Sequence, residues 1–271
     1  MTDKRVVIAP STTDLAALVA DKFVVRARKT LDRTGSFRVV LTGGGLGTEV
    51  LQAISKHPKV HQLNWSGVTV FWGDERFVEA SHGDRNDLAA QRALLGGVGL
   101  SDEQLVRFPS SDGGLDLEAA ATQARAAMLE HGQEGQWPHF DLAFAGMGPD
   151  GHVLSVFPGS SQAIATAPDV QAVWDSPKPP PLRLTMTIPL LNRADRVWIV
   201  VSGANKAAAL GLALAEASVA EVPASGLRGV RSTKIFTDAE LAGLLPEELV
   251  RSDTFWSAED ERADYVPKAL R

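Results

Sequence analysis

The chain has 271 residues, 44% hydrophobic and 22% charged, with a formal net charge of -6 and no cysteine. That balance is ordinary for a globular protein with a full core and speaks against nucleic-acid or anionic-membrane partners. The missing cysteines exclude disulfides, thiolate metal sites and a cysteine nucleophile, while a basic pocket for a small anion stays compatible with an acidic chain. The opening MTDKRVVIAP has too short an apolar run for a signal peptide, and no segment approaches membrane-spanning length. The expected location is the cytoplasm.

In chain order, short β-branched runs alternate with Ala/Leu-rich amphipathic stretches. They predict strands at 5–9, 37–42, 68–73, 140–145, 196–202 and 234–237, and helices at 14–31, 48–55, 87–95, 115–130 and 205–217. Several strands are apolar throughout, as parallel strands covered on both faces are. Thr12 or Thr13 is expected to cap the first helix, and Asp84 or Asn86 the third. The alternation predicts an α/β fold: a doubly wound, mostly parallel sheet with helices on both faces. No internal repeat is present. The proline-rich SPKPPPLR at 176–183 is too short to separate domains and reads as a stiff surface loop that delivers Arg183. Residues 1–245 are therefore expected to form one α/β unit. The charged tail, 246–271, reads as a docked extension or a partly disordered end.

Ligands of open α/β sheets bind beyond the carboxyl ends of the strands, and four segments of unusual glycine or polar content fall there. In LTGGGLGTE, Gly43, Gly44, Gly45 and Gly47 let the backbone approach a ligand and aim N–H groups at an anion near a helix N-terminus. Thr48 stands where a dinucleotide loop needs glycine, and the GK[ST] ending of a Walker A loop is absent. Phosphate or sugar contact is the expectation. In VTVFWGDERFV, Arg76 offers a planar fork of donors to a phosphate, and Asp74 is placed to orient a base or accept sugar hydroxyls. Asn86, in the following SHGDRND, suits a sugar hydroxyl, whereas His82 reads as solvated. RLTMT puts Arg183 at the start of a short strand. SGANKAAAL puts Lys206 in the first turn of a helix, where an ammonium opposes the macrodipole unless an anion is shared between it and the amides.

The remaining segment, GMGPDGHVLSVFPG at 146–159, matches G-x-G-x-x-G directly after a predicted strand. A nicotinamide site needs a long helix there, but Pro158 leaves about two turns after His152, and the fingerprint usually sits in the first βα unit. No cofactor is expected. Gly146 and Gly148 read instead as bringing backbone close to a sugar, and His152 as a general acid/base. The other histidines, His57, His61, His82, His131 and His139, read as solvated. With no H-x-x-H pattern and no G-x-S-x-G around Ser155, neither a metal site nor a hydrolase elbow is expected.

Together the Thr-Gly-Gly loop, WGDER, the downstream Asn86, GMGPDGHVLSVFPG, Arg183-x-Thr185 and SGANK resemble the 6-phosphogluconolactonases of the glucosamine/galactosamine-6-phosphate isomerase family, over roughly 5–245. Deaminases of that family continue the loop as GHIAFNEP. Ser155, Phe157, Pro158 and Gly159 are similar to the lactonases instead. The resemblance implies hydrolysis of 6-phosphoglucono-1,5-lactone, with His152 as base, Asp74 as its partner, Arg76 and Lys206 on the phosphate, and Thr42 to Gly45 lining the sugar phosphate. Arg183 matches a family position without a settled role. Where the family commonly has SGGS, this chain has TGGG, so backbone N–H or Thr42 must replace a hydroxyl at 45. The expected partner is a phosphorylated sugar lactone, with the protein a monomer or weak homo-oligomer. An amino-sugar-phosphate deaminase of the same fold and a non-enzymatic sugar-phosphate sensor are the alternatives.

Overall fold

The computed structural model describes residues 4–250. In chain order it contains β1 (Lys4–Ala9), α1 (Thr12–Thr34), β2 (Phe37–Leu41), α2 (Gly45–Ser55), β3 (Val68–Trp72), β4 (Asp74–Arg76), α3 (Asn86–Ala93), β5 (Leu105–Val106) and α4 (Leu117–Glu130). There follow β6 (Phe140–Gly146), β7 (Val170–Val173), β8 (Arg183–Met186), α5 (Ile188–Leu191), β9 (Ala194–Val200), α6 (Ala207–Leu214), β10 (Ser232–Asp238) and α7 (Ala239–Ala242). Seven strands form one sheet in the order β1-β10-β9-β6-β2-β3-β5, and every pairing in it is parallel. Consecutive residues Val39, Val40 and Leu41 are all buried, which requires cover on both faces and explains why these strands read as continuous apolar runs. The sheet is doubly wound and mostly parallel, as expected.

Aromatic side chains lock the layers together. Phe23 of α1 meets Phe37 edge-on at 5.8 Å and Phe144 at 6.0 Å. Phe144 continues to Trp198 and Trp198 to Phe236, joining β6, β9 and β10. Phe71 packs on Phe140 and on the ring of His131 at the end of α4. Such pairs add about 0.5–1.5 kcal/mol each beyond the area they bury.

The structure departs from expectation at element ends, in the two-residue edge strand β5 and the short helices α5 and α7, which the sequence did not announce, and in one whole layer. Ser11, not Thr12 or Thr13, caps α1, its side chain accepting from the Asp14 amide. The residue at the cap of α3 is Arg85, which makes no capping bond with its own side chain; a carboxylate from β4 does that work instead. No helix follows His152; the segment closes as a tight turn with a bridge between Val153 and Val156. A second sheet, β4-β8-β7, is antiparallel. Of its strands only the Arg183 segment stood out in the sequence, because Asp74–Arg76 is wholly charged and Val170–Val173 is four residues long. His57 and His131 are half-buried rather than solvated. The tail reading falls mostly outside the described residues; residues 247–249 form a single 3-10 turn.

Candidate active site

Four neighbouring strands, β9, β6, β2 and β3, release their chains at the same edge of the sheet because they are parallel. The chain runs outward from β2 toward β5 on one side and from β6 toward β10 on the other, so the strand order reverses between β2 and β6. Such a reversal opens a crevice at the carboxyl edge. The Gly146 amide donates to Thr42 Oγ1 across this point at 3.3 Å. The four segments singled out in the sequence therefore share one edge.

His152 stands on a turn shaped by glycines. Gly148 N–H donates to the His152 carbonyl at 3.0 Å, and a Cβ on Gly148 would overlap the imidazole. Gly151 has φ +82 and lies against Val222, which excludes an ordinary side chain there. Phe157 covers the ring, with centroids 4.7 Å apart and planes tilted by 30°. The carboxylate on the ring is Asp150, in close contact with Nδ1, rather than Asp74. Burial holds the His152 pKa below its ordinary value and outweighs the opposing pull of Asp150, while Lys178 pushes the same way as burial. Burial alone would raise Asp150, but the His152 ring and Lys178 hold its carboxyl below the usual range.

Asp74 serves a different partner. Its Oδ2 accepts from buried Ser155 Oγ at 2.6 Å, and Arg183 Nη1 reaches the same hydroxyl at 3.5 Å. Arg183 is itself only 5% exposed. Its Nη2 donates to the carbonyls of Lys178 at 2.9 Å and Pro179 at 3.3 Å, and its Nε to that of Pro180 at 3.1 Å. The proline stretch is therefore not a free surface loop: its carbonyls wrap the guanidinium, which also lies 5.9 Å from the Phe157 ring centre. A stack of Arg183, Phe157 and His152 results.

Arg76 faces Arg183 in the β4–β8 register. It donates through Nη1 to the Asp84 carbonyl, and its buried Nε has no partner. Asn86 is buried, its Nδ2 donating to the Asp74 carbonyl at 2.9 Å. A Cβ on Gly43 would overlap that carboxamide, so the first glycine loop and Asn86 fit only because residue 43 has no side chain.

Between Asp74 and Arg76 lies Glu75, 1% exposed, which the sequence reading passed over. Its carboxylate accepts the amides of Arg76 and Asn86 at 2.8 Å and of Asp87 at 2.9 Å, so it caps α3 from outside. Arg85 stands 3.9 Å away and is held by Asp87 through two bonds of 2.9 Å. Burial nevertheless pushes the Glu75 carboxyl up to about 7. A raised carboxyl keeps its proton in the folded protein while the unfolded chain loses it, so its contribution makes stability fall as pH rises from about 4.5 to about 7 and level off above. Glu75→Gln is expected to flatten that part of the slope. Melting temperatures of parent and variant across the window check it; parallel curves would overturn the assignment.

At the other end of the crevice, α2 begins at Gly45, three residues earlier than expected, with Gly44 as its cap at φ +86. Thr48 N–H makes the first helical bond, to the Gly44 carbonyl at 2.9 Å. The amides of Gly45, Leu46 and Gly47 precede that bond and are donors without an intrahelical partner, available to an anion. Lys206 sits at the cap of α6, after a 3-10 turn from Ala204. Burial, and then the field of Lys178, hold its pKa below the usual lysine value. Among the described residues no cluster of three or more His, Asp or Glu side chains could hold a metal ion, and no helix is long and apolar enough to cross a membrane.

The edge thus combines unpartnered helix amides and cationic side chains with a carboxylate-bonded histidine at the strand-order reversal of an α/β sheet, where ligands of such sheets bind. The chain belongs to the glucosamine-6-phosphate isomerase/6-phosphogluconolactonase family, which it matches over residues 10–236. It is 39% identical over 244 residues to the 6-phosphogluconolactonase of Mycobacterium tuberculosis, covering 88% of this chain and 97% of that one. To the Streptomyces coelicolor 6-phosphogluconolactonase it is 36% identical over 242 residues, covering 87% and 92%. The crystal structure of 6-phosphogluconolactonase from Thermotoga maritima is similar, with a TM-score of 0.75, 23% identity, and coverage of 87% of this chain and 100% of that one. A monomeric glucosamine-6-phosphate deaminase gives 0.74 at 18% identity, over 89% and 99%. Fold alone therefore does not separate lactonase from deaminase.

Proposed function

We propose that the protein hydrolyses 6-phospho-D-glucono-1,5-lactone to 6-phospho-D-gluconate, with His152 as general base. The observation that carries the reading is the division of carboxylates: Asp150 holds His152 Nδ1, while Asp74 is bonded to Ser155. With Nδ1–H on Asp150, Nε2 carries the lone pair and can take a proton from water as its oxygen attacks C1 of the lactone. The amides of the glycine loops are the donors for the resulting oxyanion. When the C1–O bond to the ring oxygen breaks, the imidazolium returns its proton to that oxygen, and the open hydroxy acid leaves. Arg76, Lys206 and the free amides of α2 would hold the phosphate and so fix the lactone's orientation. The unpartnered Nε of Arg76 supports that role. Thr42, Gly146 and Gly148 would line the sugar, with Asn86 and Arg183 holding the walls.

The same reading places a single functional unit on residues 1–245, in the cytoplasm, acting as a monomer or weak oligomer without cofactor. A deaminase would need a carboxylate free to shuttle protons between sugar carbons, and Asp74 is tied to Ser155. Identity to the Mycobacterium and Streptomyces lactonases supports the same choice. Freshly generated lactone and glucosamine 6-phosphate, offered separately to the purified protein, test it. Accelerated acid release from the lactone, above its spontaneous hydrolysis, and no ammonia from the amino sugar are expected. The reverse result would overturn the assignment.

A further inference from the structure

One atom of the site has two incompatible neighbours. His152 Nδ1 touches Asp150 Oδ1 and also lies 3.3 Å from Lys178 Nζ, which is itself 3.9 Å from Asp150 Oδ1. A carboxylate needs a proton on Nδ1, whereas an ammonium needs the lone pair there. The two partners therefore demand opposite tautomers, and only the first leaves Nε2 free to act as a base. Lys178 is also built to move. Its carbonyl is pinned by Arg183 at 2.9 Å and by Ser176 Oγ at 2.8 Å, while its side chain is 43% exposed. Its field reaches Lys206.

We propose that Lys178 is a positioning residue that gates the tautomer of His152. In the free protein it competes with Asp150 for Nδ1; an anion bound beside Lys206 draws the ammonium away, so that the imidazole gives its Nδ1–H to Asp150 and bares Nε2. The base is thereby armed by the phosphate of its own substrate. This rests on the lactonase reading only for the identity of that substrate. The charged groups acting on the ring are Asp150 from its own turn, Lys178 from the proline loop and Asp74 from β4. Of these Asp74 is buried and Asp150 has a short side chain on the His152 turn, whereas Lys178 combines a long side chain with a head 43% exposed. Phe157 on the ring face keeps the imidazole from following it.

The test reads the imidazole nitrogens of His152 by NMR on histidine-labelled protein, assigned by their loss in His152→Asn, with inorganic phosphate as the probe. Adding phosphate to the parent is expected to shift the population toward the Nδ1–H form. Lys178→Met should show that form without phosphate and respond little to it; Lys178→Arg, which keeps the charge, should restore the response. In kinetics, Lys178→Met should move the pH midpoint of kcat/KM, which reports the free enzyme, while leaving that of kcat in place. A merely structural role would lower both without moving either midpoint. A parent already wholly Nδ1–H and indifferent to phosphate would overturn the proposal, as would a Lys178→Met protein that keeps the full response. Failure of the lactonase reading shows separately, as a parent protein that does not accelerate lactone hydrolysis.

Discussion

His152→Ala is expected to lower kcat for lactone hydrolysis by about 10²–10⁴, the usual worth of a positioned general base, with KM little changed. The proposed phosphate donors, Arg76, Lys206 and the α2 amides, belong to other elements than the turn that bears His152. Asp150→Asn should approach the same loss while keeping the fold, because an amide no longer selects the Nδ1–H tautomer. The pH profile carries a further mark. Burial and Lys178 hold the His152 pKa down, so the neutral base is already present below the ordinary imidazole value of about 6.5. Activity should accordingly rise with pH with its midpoint on the acid side of that value. A coupled assay for released acid, corrected for spontaneous opening, decides the matter; a His152→Ala enzyme as fast as the parent would sink the assignment.

Arg183→Met is expected to give the largest loss of stability. The guanidinium is buried, and its removal leaves the carbonyls of Pro179 and Pro180 without their donor, that of Lys178 with only Ser176 Oγ, and the Ser155–Asp74 pair without the cation behind it. Breaking a buried charge network from one side costs about 3–5 kcal/mol, or roughly 6–20 °C in melting temperature for a protein of this size. Arg183→Lys should recover only part of this, since one ammonium cannot reach three carbonyls from a planar fork. Because those carbonyls hold the loop bearing Lys178, limited proteolysis should find new cleavage within 176–183. An unshifted melting curve with an intact loop would show that the proline stretch holds itself.

The site was legible to different degrees for identifiable reasons. His152 stood out because a histidine ending a glycine turn after a strand has few structural uses, and Gly43 to Gly47 because a simple turn does not need so many glycines. Asp150 was overlooked although it lies two residues from His152: the pattern reads as turn chemistry, and only the turn's actual curvature brings its carboxylate to Nδ1. Asp74 was assigned to the imidazole by resemblance, yet Ser155, 81 positions away, is what it meets. Glu75 and Lys178 gave no local signal. A glutamate in a charged tripeptide and a lysine among prolines are ordinary surface residues until a second strand and a buried guanidinium enclose them.

Local sequence determined six of the seven parallel strands, the order of the longer helices and the glycine loops that meet at one edge. Apolar runs, periodicity and backbone freedom act over a few residues and carry their meaning with them. Only the tertiary structure decided the antiparallel sheet, the start of α2, the cap of α3 and the partner of every charged group in the crevice. Those depend on groups that the fold brings together, such as Glu75 with the Asn86 amide, 11 positions on, and Asp74 with Ser155, 81 positions on. A carboxylate's role is set by which donors reach it once water has been excluded, and GMGPDGH does not say where Ser155, Thr185 or Lys178 will be when the chain has closed.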